Sequence, residues 1–222
     1  MIFNGIEKEY VAVLRDRKRP FFEKDNERIV EVPILIKHNG FSDYQKLKED
    51  TAEWLIHEKA KELIFKDDDD RRYFAKVDDI VENEDYHTMS FATVTFICHS
   101  KYSLEKTISI KPTSRNETIK GHKSTSWKTK TKFTKNQKGY ELQFNSPDKT
   151  NLRDICKIKL NYDFIEGDIL EIDYSKRKIT LNGIDRSNIL IILQSNYTEL
   201  PIGTVELKAN HETELFYSER YY

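Results

Sequence analysis

Four consecutive aspartates, Asp67 to Asp70, are the residues whose type and spacing most suggest chemistry in this sequence. Carboxylate oxygens are the ligands that Ca²⁺ and Mg²⁺ prefer in proteins. A calcium loop of the EF-hand kind needs a glycine at its sixth position and a glutamate at its twelfth. Counted from Asp67, those positions hold Arg72 and Asp78. We therefore interpret the aspartates as an exposed turn that the following arginines neutralise, and we expect neither a metal nor a cofactor.

The other potentially reactive side chains form no familiar catalytic pattern. Cys98 and Cys156 lie far apart and outside any CxxC spacing, which favours buried thiols over a disulfide framework or a zinc site. Cys98 and His99 are neighbours, but alternation along a strand directs them to opposite faces. The six histidines never occur at i and i+4, and the sequence contains no GxSxG, P-loop, GxGxxG or HExxH motif. Nothing in these patterns predicts an enzyme, and no catalytic residue is proposed.

The composition is that of a folded and very polar chain. Of the 222 residues, 34% are charged, 37% are hydrophobic and 12% are aromatic. This length allows one large domain or two of about 100 residues, and two is our expectation. No apolar run approaches the ~20 residues that span a bilayer. The first ten residues lack the basic and apolar regions of a signal peptide, so we expect a soluble protein without membrane insertion.

Charge is distributed unevenly along the chain. Residues 1–101 hold 17 basic and 22 acidic side chains, whereas residues 102–222 hold 20 and 16. Nine lysines or arginines and one glutamate fall between residues 111 and 138, which could suggest a nucleic-acid surface. In WKTKTKF (127–133), however, the lysines alternate with Trp127, two threonines and Phe133, which is the period of a strand with one wet face. We favour such a solvated strand, at a sheet edge, over a phosphate-binding strip.

The first half predicts strands around one helix. Extended runs occur at 2–6, 10–14 and 28–36, and in the last of these Val30, Val32, Ile34 and Ile36 share one face. Pro33 directs that strand toward a sheet edge or a bend.

An amphipathic helix is predicted at about 42–58. Ser42 would be its N-cap, and Gln45 three residues on would complete a capping box. A stripe of Leu47, Thr51, Trp54 and Leu55 would be buried. After the helix, ELIF and RYFAKV flank the aspartates and predict a hairpin at about 62–78 with an acidic tip. A further strand is expected at 89–98, with Val94, Phe96 and Cys98 on one side.

The second half reads as strand after strand with no helix between. TISI, WKTKTKF, YELQF, CKIKLNY, DILEIDY, KITLNG, ILIIL, TVELKA and TELFY follow one another between short turns. Such spacing indicates an antiparallel sandwich. The predicted fold class is therefore mainly β: an α+β domain at 1–101, with antiparallel sheets and one helix, and a β-sandwich at 102–222.

Several segments also resemble a known family in the correct order. YVAVLRDRKRPFF (10–22), AEWLIHEKAKELIFKDDDDRRYFAKVDD (52–79) and ATVTFICHSKYS (92–103) resemble the N-terminal domain of the distal tail proteins of siphophages and related prophages. NYDFIEGDILEIDYSKRKITLNG (161–183) looks like part of the galectin-like sandwich of that family, and LPIGTVEL (200–207) resembles its closing segment. Residues 111–155 match least well.

The resemblance implies a structural protein of the virion, at the distal end of the phage tail, that is synthesised in the cytoplasm of the bacterial host. It implies a ring, expected to be a hexamer, that joins the tail tube to the tip or baseplate. The N-terminal domains would form the channel, with the sandwiches pointing outward. The implied partners are further copies of this chain, the tail tube protein, the tape-measure protein, tail-associated tip proteins and receptor-binding proteins, with DNA only in transit.

Two sets of residues are candidates for contacts in such an assembly. The basic run RDRKRPFF, from Arg15 to Phe22, includes Arg15, Arg17, Arg19, Phe21 and Phe22, and the two phenylalanines would be anchors. A solvated turn followed by two core aromatics explains the same run equally well. The second set is Asp67, Asp68, Asp69 and Asp70, which we expect to face the channel or a neighbouring ring. Tyr44 and Tyr73 are further aromatic candidates for the interface or the core.

Two functions of other classes remain as alternatives. A galectin-like sandwich could be a carbohydrate-binding module that recognises a host cell-wall glycan. Against this, Trp127 shares its strand face with Phe133, which favours a core position, and the galectin sugar motif is absent. An enzyme that acts on the cell wall or on DNA ranks last.

Overall fold

The computed structural model describes residues 1–14, 27–68, 70–145 and 156–221. The chain divides into two compact units, one formed by Met1–Ser103 together with Tyr221 and the other by Leu104–Arg220. The division follows Ser103 rather than Lys101 because the last strand of the first unit runs to Ser103.

The first unit is an antiparallel sheet with one helix. Its elements are β1 (Ile2–Phe3), β2 (Val11–Val13), β3 (Arg28–Lys37), α1 (Phe41–Leu55), β4 (Lys61–Ile64), β5 (Arg71–Asp85) and β6 (Met89–Ser103). The order across the sheet is β1–β4–β5–β6–β3–β2. Both long strands, β5 and β6, extend well beyond the predicted ranges.

Alternation along β3 follows the predicted pattern. Val30, Val32 and Ile34 are fully buried and Ile36 nearly so, which confirms the face that the sequence assigned to the core. β3 lies between β6 and β2, but β2 pairs only with Ile34–Ile36, so Pro33 lies beyond the described pairing on that side, which agrees with the edge-like position expected for it. The carbonyl of Pro33 accepts a hydrogen bond from the N–H of Leu14, one residue after β2 ends. Proline has no N–H to donate to a neighbouring strand. Because its nitrogen faces the end of a three-residue strand, few hydrogen bonds of the sheet are lost.

Helix α1 is shorter than expected and begins differently. Gly40, not Ser42, is the N-cap, with a φ of 107° that glycine adopts readily, and no side chain caps the first turn. Asp43 instead accepts a hydrogen bond from the N–H of Asn39 at 2.8 Å. Thr51, Trp54 and Leu55 are buried as predicted. Leu47 is only partly buried, and Tyr44 is the buried residue that the predicted stripe omitted.

The second unit is a β-sandwich. Its strands are β7 (Lys106–Ile110), β8 (Arg115–Ile119), β9 (Trp127–Lys132), β10 (Gln137–Asn145), β11 (Cys156–Phe164), β12 (Ile169–Asp173), β13 (Lys178–Leu181), β14 (Ile184–Asp185), β15 (Gly203–Ala209) and β16 (Thr213–Tyr217). The strand that follows, β17 (Arg220–Tyr221), pairs with β6 in the sheet of the first unit. One sheet, here called the β10 sheet, has the order β11–β10–β15–β8; the other, the β9 sheet, has the order β14–β13–β12–β9–β16–β7. Tyr221 of β17 belongs to the first unit.

The inner faces of the two sheets share one core. Leu142 and Ile158 of the β10 sheet and Ile172 and Leu215 of the β9 sheet belong to one buried apolar cluster. Trp127 lies in this cluster with 1% of its surface exposed, and its indole N–H donates a hydrogen bond to the carbonyl of Thr198 at 2.9 Å. The predicted core position of Trp127 is therefore confirmed.

Two predictions about strands of this unit were wrong. β9 has the predicted wet lysine face, but it lies between β12 and β16 and not at an edge. ILIIL (189–193) is not a strand, because 3-10 turns occupy Ser187–Ile189 and Ile192–Gln194. A short apolar run has no period that separates a buried strand from a loop that packs against the core.

Candidate assembly surfaces

The acidic aspartates lie in the turn of a hairpin. β4 and β5 pair antiparallel, with Leu63 opposite Tyr73 and Lys61 opposite Ala75. The turn is closed by hydrogen bonds from the N–H of Asp68 to the carbonyl of Phe65 and from the N–H of Arg71 to the carbonyl of Asp68, both at 3.0 Å. The long pairing of β5 with β6 fixes the direction of this turn.

The aspartates do not behave as one exposed cluster. Asp67 and Asp70 are exposed, whereas the Asp68 side chain is only 20% exposed, and Asp69 lies outside the described residues. Asp68 accepts a hydrogen bond from the hydroxyl of the buried Tyr73 at 3.1 Å and lies 3.4 Å from the ammonium of Lys101. The expectation of a fully exposed turn is therefore wrong for Asp68.

The two arginines that follow the turn have different partners. Arg71 forms an ion pair with Asp70 at 2.6 Å, as a self-neutralising turn requires. Arg72 instead pairs with Glu62 of β4 at 2.7 Å, because the two side chains meet across the hairpin. The guanidinium of Arg71 also stacks on the ring of Tyr221 at 4.1 Å. Only one of the two arginines thus neutralises the aspartates.

Lys101 occupies a half-buried site between Asp68 and an aromatic ring. Its ammonium lies 5.2 Å from the centre of the Tyr73 ring. Burial lowers the pKa of Lys101, and the nearby charge of Asp68 opposes that shift. The arrangement ties the acidic turn to β6 and leaves Asp67 and Asp70 to face solvent.

The basic run lies outside the described residues, since Arg15, Arg17, Arg19, Phe21 and Phe22 all fall within 15–26. The structure describes the chain up to Leu14 and again from Glu27. The other two aromatic candidates belong to the core, with Tyr44 at 3% exposure and Tyr73 at 0%. Tyr44 stacks on His38 at 4.8 Å between ring centres. These two tyrosines are unavailable to an interface.

A third surface, which the sequence did not reveal, lies on the hairpin of β5 and β6. β4 pairs with β5 only from Tyr73 to Ala75, so no described strand pairs with β5 from Lys76 to Asp85 on that side. Toward the turn between β5 and β6, the side chains of Val81, Tyr86 and Met89 are 47%, 55% and 38% exposed. The Tyr86 ring packs edge-on against Phe91 at 5.8 Å. We call Val81, Tyr86, Met89 and Phe91, with the flanking carboxylates Asp79 and Glu84, the arm patch.

The outer face of the β9 sheet carries a ladder of opposite charges. Lys128 lies 3.4 Å from Asp173, and Lys130 lies 3.5 Å from Glu171. These groups line a groove of about 530 Å³ that also contains Phe216. Two of the lysines that suggested a phosphate strip, Lys128 and Lys130, are therefore paired with carboxylates of the next strand, as expected of a solvated face.

The thiols and histidines form no described metal site. Cys98 is buried and His99 exposed, which confirms that the neighbours face opposite ways. Burial raises the pKa of the Cys156 thiol to about 11. Within residues 1–14, 27–68, 70–145 and 156–221, no group of three or more histidine, cysteine or carboxylate side chains could hold a metal ion. Among the same residues, no helix has the length and apolar character needed to cross a membrane.

Comparison with known proteins relates both units to phage tails. A family model described as "Phage tail protein RIFT-related domain" matches residues 15–98, and one described as "Siphovirus-type tail component, C-terminal domain" matches residues 120–221. The distal tail protein of Bacillus phage SPP1 is 26% identical over 198 residues, which cover 87% of this chain and 76% of that protein.

Solved structures give the same relationship at the level of the fold. The crystal structure of SPP1 Dit (gp 19.1) matches with a TM-score of 0.76 and 18% identity, over 100% of this chain and 98% of that chain. A chain of the phage P2 baseplate, solved in its activated conformation with Ca, matches with a TM-score of 0.50 and 9% identity, over 95% of this chain and 90% of that one.

The fold and the two matched domains define a structural protein of a siphophage tail. The chain belongs to the family of siphophage distal tail proteins.

Proposed function

We propose that this protein forms a hexameric ring at the distal end of a siphophage tail, where it joins the tail tube to the tip or baseplate and surrounds the channel for DNA. The observation that carries the proposal is the match to SPP1 Dit over the whole of this chain, through both units. That structure is described as "a Paradigm of Hub Adsorption Apparatus in Gram-positive Infecting Phages". The distal tail protein of SPP1 adds similarity in sequence over 87% of the chain.

A ring of identical subunits requires two different contact surfaces on each subunit. Heterologous contacts generate a closed ring only when their rotation closes, and patches of opposite charge favour the correct approach of the two surfaces. This chain carries both signs, with a net charge of minus five in residues 1–101 and plus four in residues 102–222. The basic run also lies in the acidic half.

The residues assigned to these contacts follow from their chemistry. Arg15, Arg17 and Arg19 would contact acidic groups of a neighbouring subunit, with Phe21 and Phe22 as apolar anchors. Asp67, Asp69 and Asp70 would face the channel or a neighbouring ring, where carboxylates reduce adhesion of DNA by repelling its phosphates. Asp68, in contact with Tyr73 and Lys101, would fix the shape of this turn.

The proposed partners are the other components of the tail. They are further copies of this chain, the tail tube protein, the tape-measure protein, the tip proteins and the receptor-binding proteins, with DNA in transit only. The protein would be made in the host cytoplasm and assembled into the virion tail. Its contribution would be structural, without an enzymatic reaction and without insertion into a membrane.

Electron microscopy of the purified full-length protein, combined with light scattering, tests the ring. The expected result is a ring with a central hole and a mass close to six times 26.4 kDa. A compact monomer at every concentration would contradict the proposal. In assembled phage, antibodies against this protein should label the tip end of the tail and not the head.

A carbohydrate-binding module remains the alternative, and one feature favours it. Phe216 lies in the groove on the outer face of the β9 sheet, beside hydrogen-bonding side chains such as Lys130 and Glu171. Sugar sites combine an apolar ring with convergent polar groups in this way. Saturable binding of cell-wall glycan by the full-length protein, lost on Phe216→Ala, would support the alternative.

A further inference from the structure

A groove of about 620 Å³ runs beside β2 in the first unit. Residues 11–14 form one wall, and residues 65–67, which follow β4, form the other with Met1 beside them. Successive side chains of a strand point to opposite faces, yet Val11, Ala12 and Val13 all line the groove. It therefore follows the backbone edge of β2 and not one face of the sheet. We call the space between residues 11–14 and 65–67 the β2 groove.

β2 turns three unpaired backbone groups toward this groove. The hydrogen bonds of an antiparallel strand alternate between its two sides along the chain. The N–H of Leu14 donates to the carbonyl of Pro33 in β3 at 2.9 Å, so the polar groups of Val11 and Val13 point away from β3. Of these, the N–H of Val11 donates to the carbonyl of Lys8 at 3.2 Å. No turn or side-chain hydrogen bond from a described residue reaches the other three, which are both carbonyls and the N–H of Val13.

The side chains along this edge are apolar toward the core. Val11 and Val13 pack partly buried against the core of the first unit, and the groove also contains Phe65 at 0% exposure and Met1 at 8%. Residues directly opposite each other in an antiparallel pair share a face. An added strand would place the residues opposite Val11 and Val13 on this apolar side and the residue opposite Ala12 toward solvent. The groove thus selects an extended segment with apolar side chains at every second position.

The volume of the β2 groove fits a short segment. One residue of a strand fills roughly 160 Å³, given a rise of ~3.3 Å, a strand spacing of ~4.8 Å and a sheet spacing of ~10 Å. A space of about 620 Å³ therefore takes about four residues. That length matches the wall formed by residues 11–14.

The charges around the β2 groove favour a basic end on such a segment. Glu7 and Lys66 on its rim form an ion pair at 2.7 Å and neutralise each other. Asp67, by contrast, is exposed and leads into the acidic turn, where Asp70 is exposed as well. Carboxylates attract a lysine or arginine and repel DNA and anionic lipid. Because this turn is proposed to face the channel or a neighbouring ring, the groove opens beside a surface that another tail component approaches.

We propose that the β2 groove binds an extended segment of a neighbouring tail protein by strand addition, in which Val13 exchanges two backbone hydrogen bonds with that segment. The inference rests on the proposed place of the chain in the tail and assigns a binding site to one of its partners. The described strands of this chain all pair within their own sheets, so the segment belongs to a different protein. A contact of about four residues is too small for a stable interface by itself, and it would fix the register of a larger one.

Peptide binding to the full-length protein tests the site directly. The probe is a capped peptide, KVTVTVK, which has the alternation and the basic ends that the groove selects. It should bind saturably and slow the hydrogen exchange of the amides at 11–14 about threefold or more, as measured by NMR. The control peptide KTVVVTK has the same composition and charge without the alternation, and it should bind about tenfold more weakly.

Backbone methylation separates recognition of the main chain from recognition of side chains. In an added strand the valines of KVTVTVK lie opposite Val11 and Val13, so their N–H groups donate to the carbonyls of β2. N-methylation of the valines should therefore abolish binding. N-methylation of the threonines, whose N–H groups point away from β2, is the matched control and should leave binding within about threefold of the unmodified peptide.

A variant of the protein locates the site. Val13→Pro removes the N–H that faces the groove, and proline is tolerated in an edge strand where the N–H is unpaired. It should weaken the binding of KVTVTVK about tenfold, while thermal unfolding and ring formation stay as in wild type. Val13→Thr keeps the N–H and the shape of the side chain, and it should bind like wild type.

The possible results are distinguishable. Failure of KVTVTVK to bind, or equal binding of the valine-methylated peptide, overturns the inference. Equal binding by Val13→Pro overturns the location, and if that variant unfolds, the two methylated peptides decide the question. Dissociation of the ring by KVTVTVK would show that a second copy fills the groove and would overturn its assignment to another protein. A wild-type protein that never forms a ring contradicts the proposed function itself, whatever the peptide does.

Discussion

At the scale of single residues, Asp68 differs from its neighbours although all four aspartates look alike in the sequence. It receives a hydrogen bond from Tyr73 and lies beside Lys101, whereas Asp70 is exposed and pairs only with the adjacent Arg71. A half-buried carboxylate with two partners contributes far more to stability than an exposed ion pair. Sequence could identify the acidic turn, but it could not show which carboxylate points inward.

We therefore predict that Asp68→Asn lowers the free energy of unfolding by about 1–2 kcal/mol, because a hydrogen bond and an ion pair are weakened. Asp70→Asn is the matched control and should change it by less than about 0.5 kcal/mol. Chemical denaturation followed by circular dichroism measures both variants. Equal effects of the two substitutions would contradict the assignment of Asp68 to a structural role.

Tyr140 gives a prediction about pH. Burial raises its pKa to about 12, although Thr131 and Thr213 are within hydrogen-bonding distance of its hydroxyl. Because the unfolded tyrosine ionises near pH 10, the unfolded state loses its proton first as the pH rises. The free energy of unfolding should thus be constant with respect to this group below pH 10 and should fall between about pH 10 and 12.

The fall would reach roughly 3 kcal/mol if the whole difference between the folded and the unfolded pKa is expressed. Denaturant titrations of wild type and Tyr140→Phe between pH 8 and 11 measure it. The phenylalanine variant should show a smaller decrease over this interval, although it starts from a lower stability at pH 8 because the hydroxyl contacts are gone. The same pH dependence in both proteins would exclude Tyr140 as the group responsible.

At the scale of secondary-structure elements, the sequence correctly predicted the strands in which apolar and polar residues alternate. The alternation in β3, in β9 and in CKIKLNY identified buried faces correctly, since period two is a property of the strand itself. The length of β5 escaped prediction because residues 78–85 are rich in aspartate, glutamate and asparagine, which are depleted in strands. Pairing with β6 holds them extended, and that pairing is not a local property. The arm patch was missed for the same reason.

The beginning of α1 gives a test at this scale. Ser42 fits the consensus for an N-cap, but the chain uses Gly40 with a positive φ. We predict that Gly40→Ala lowers the free energy of unfolding by about 1–2 kcal/mol, because alanine is strained at this positive φ. Nothing lies within 4 Å of the added methyl group, so no steric clash adds to this cost. Ser42→Ala should cost less than about 0.5 kcal/mol, since exposed helix positions favour alanine slightly. Thermal unfolding of the two variants compares them directly, and a larger loss from Ser42→Ala would restore the original interpretation.

The loop that replaced the predicted ILIIL strand is also informative. Leu193 is 99% exposed at its tip, while the loop is fastened to β11 by hydrogen bonds between Lys157 and Asn196 and between Lys159 and Ser195. Leu193→Ala should leave the free energy of unfolding within about 0.5 kcal/mol. Leu200→Ala, at a fully buried position, should cost about 2–5 kcal/mol. Calorimetry on both variants would show whether the tip is as free of packing as its exposure indicates.

At the scale of the whole molecule, the two units have different kinds of surface. The first carries the arm patch, the acidic turn and the basic run, which offer apolar anchors and charges of both signs. The described outer face of the β9 sheet in the second carries lysines already paired with carboxylates of the neighbouring strand, such as Lys128 with Asp173. Ion pairs at an exposed surface contribute little to association. Assembly should therefore depend on the first unit.

We predict that the sandwich alone, residues 104–220, is monomeric at concentrations where the full-length protein forms a ring. Its core is a single buried cluster that does not include the first unit, so the fragment has its own hydrophobic core. Light scattering at matched concentrations gives the mass of each species. A ring or another defined oligomer of residues 104–220 would refute this division of roles and would place assembly in the sandwich, because no residue of the arm patch or of the acidic turn is present in that fragment.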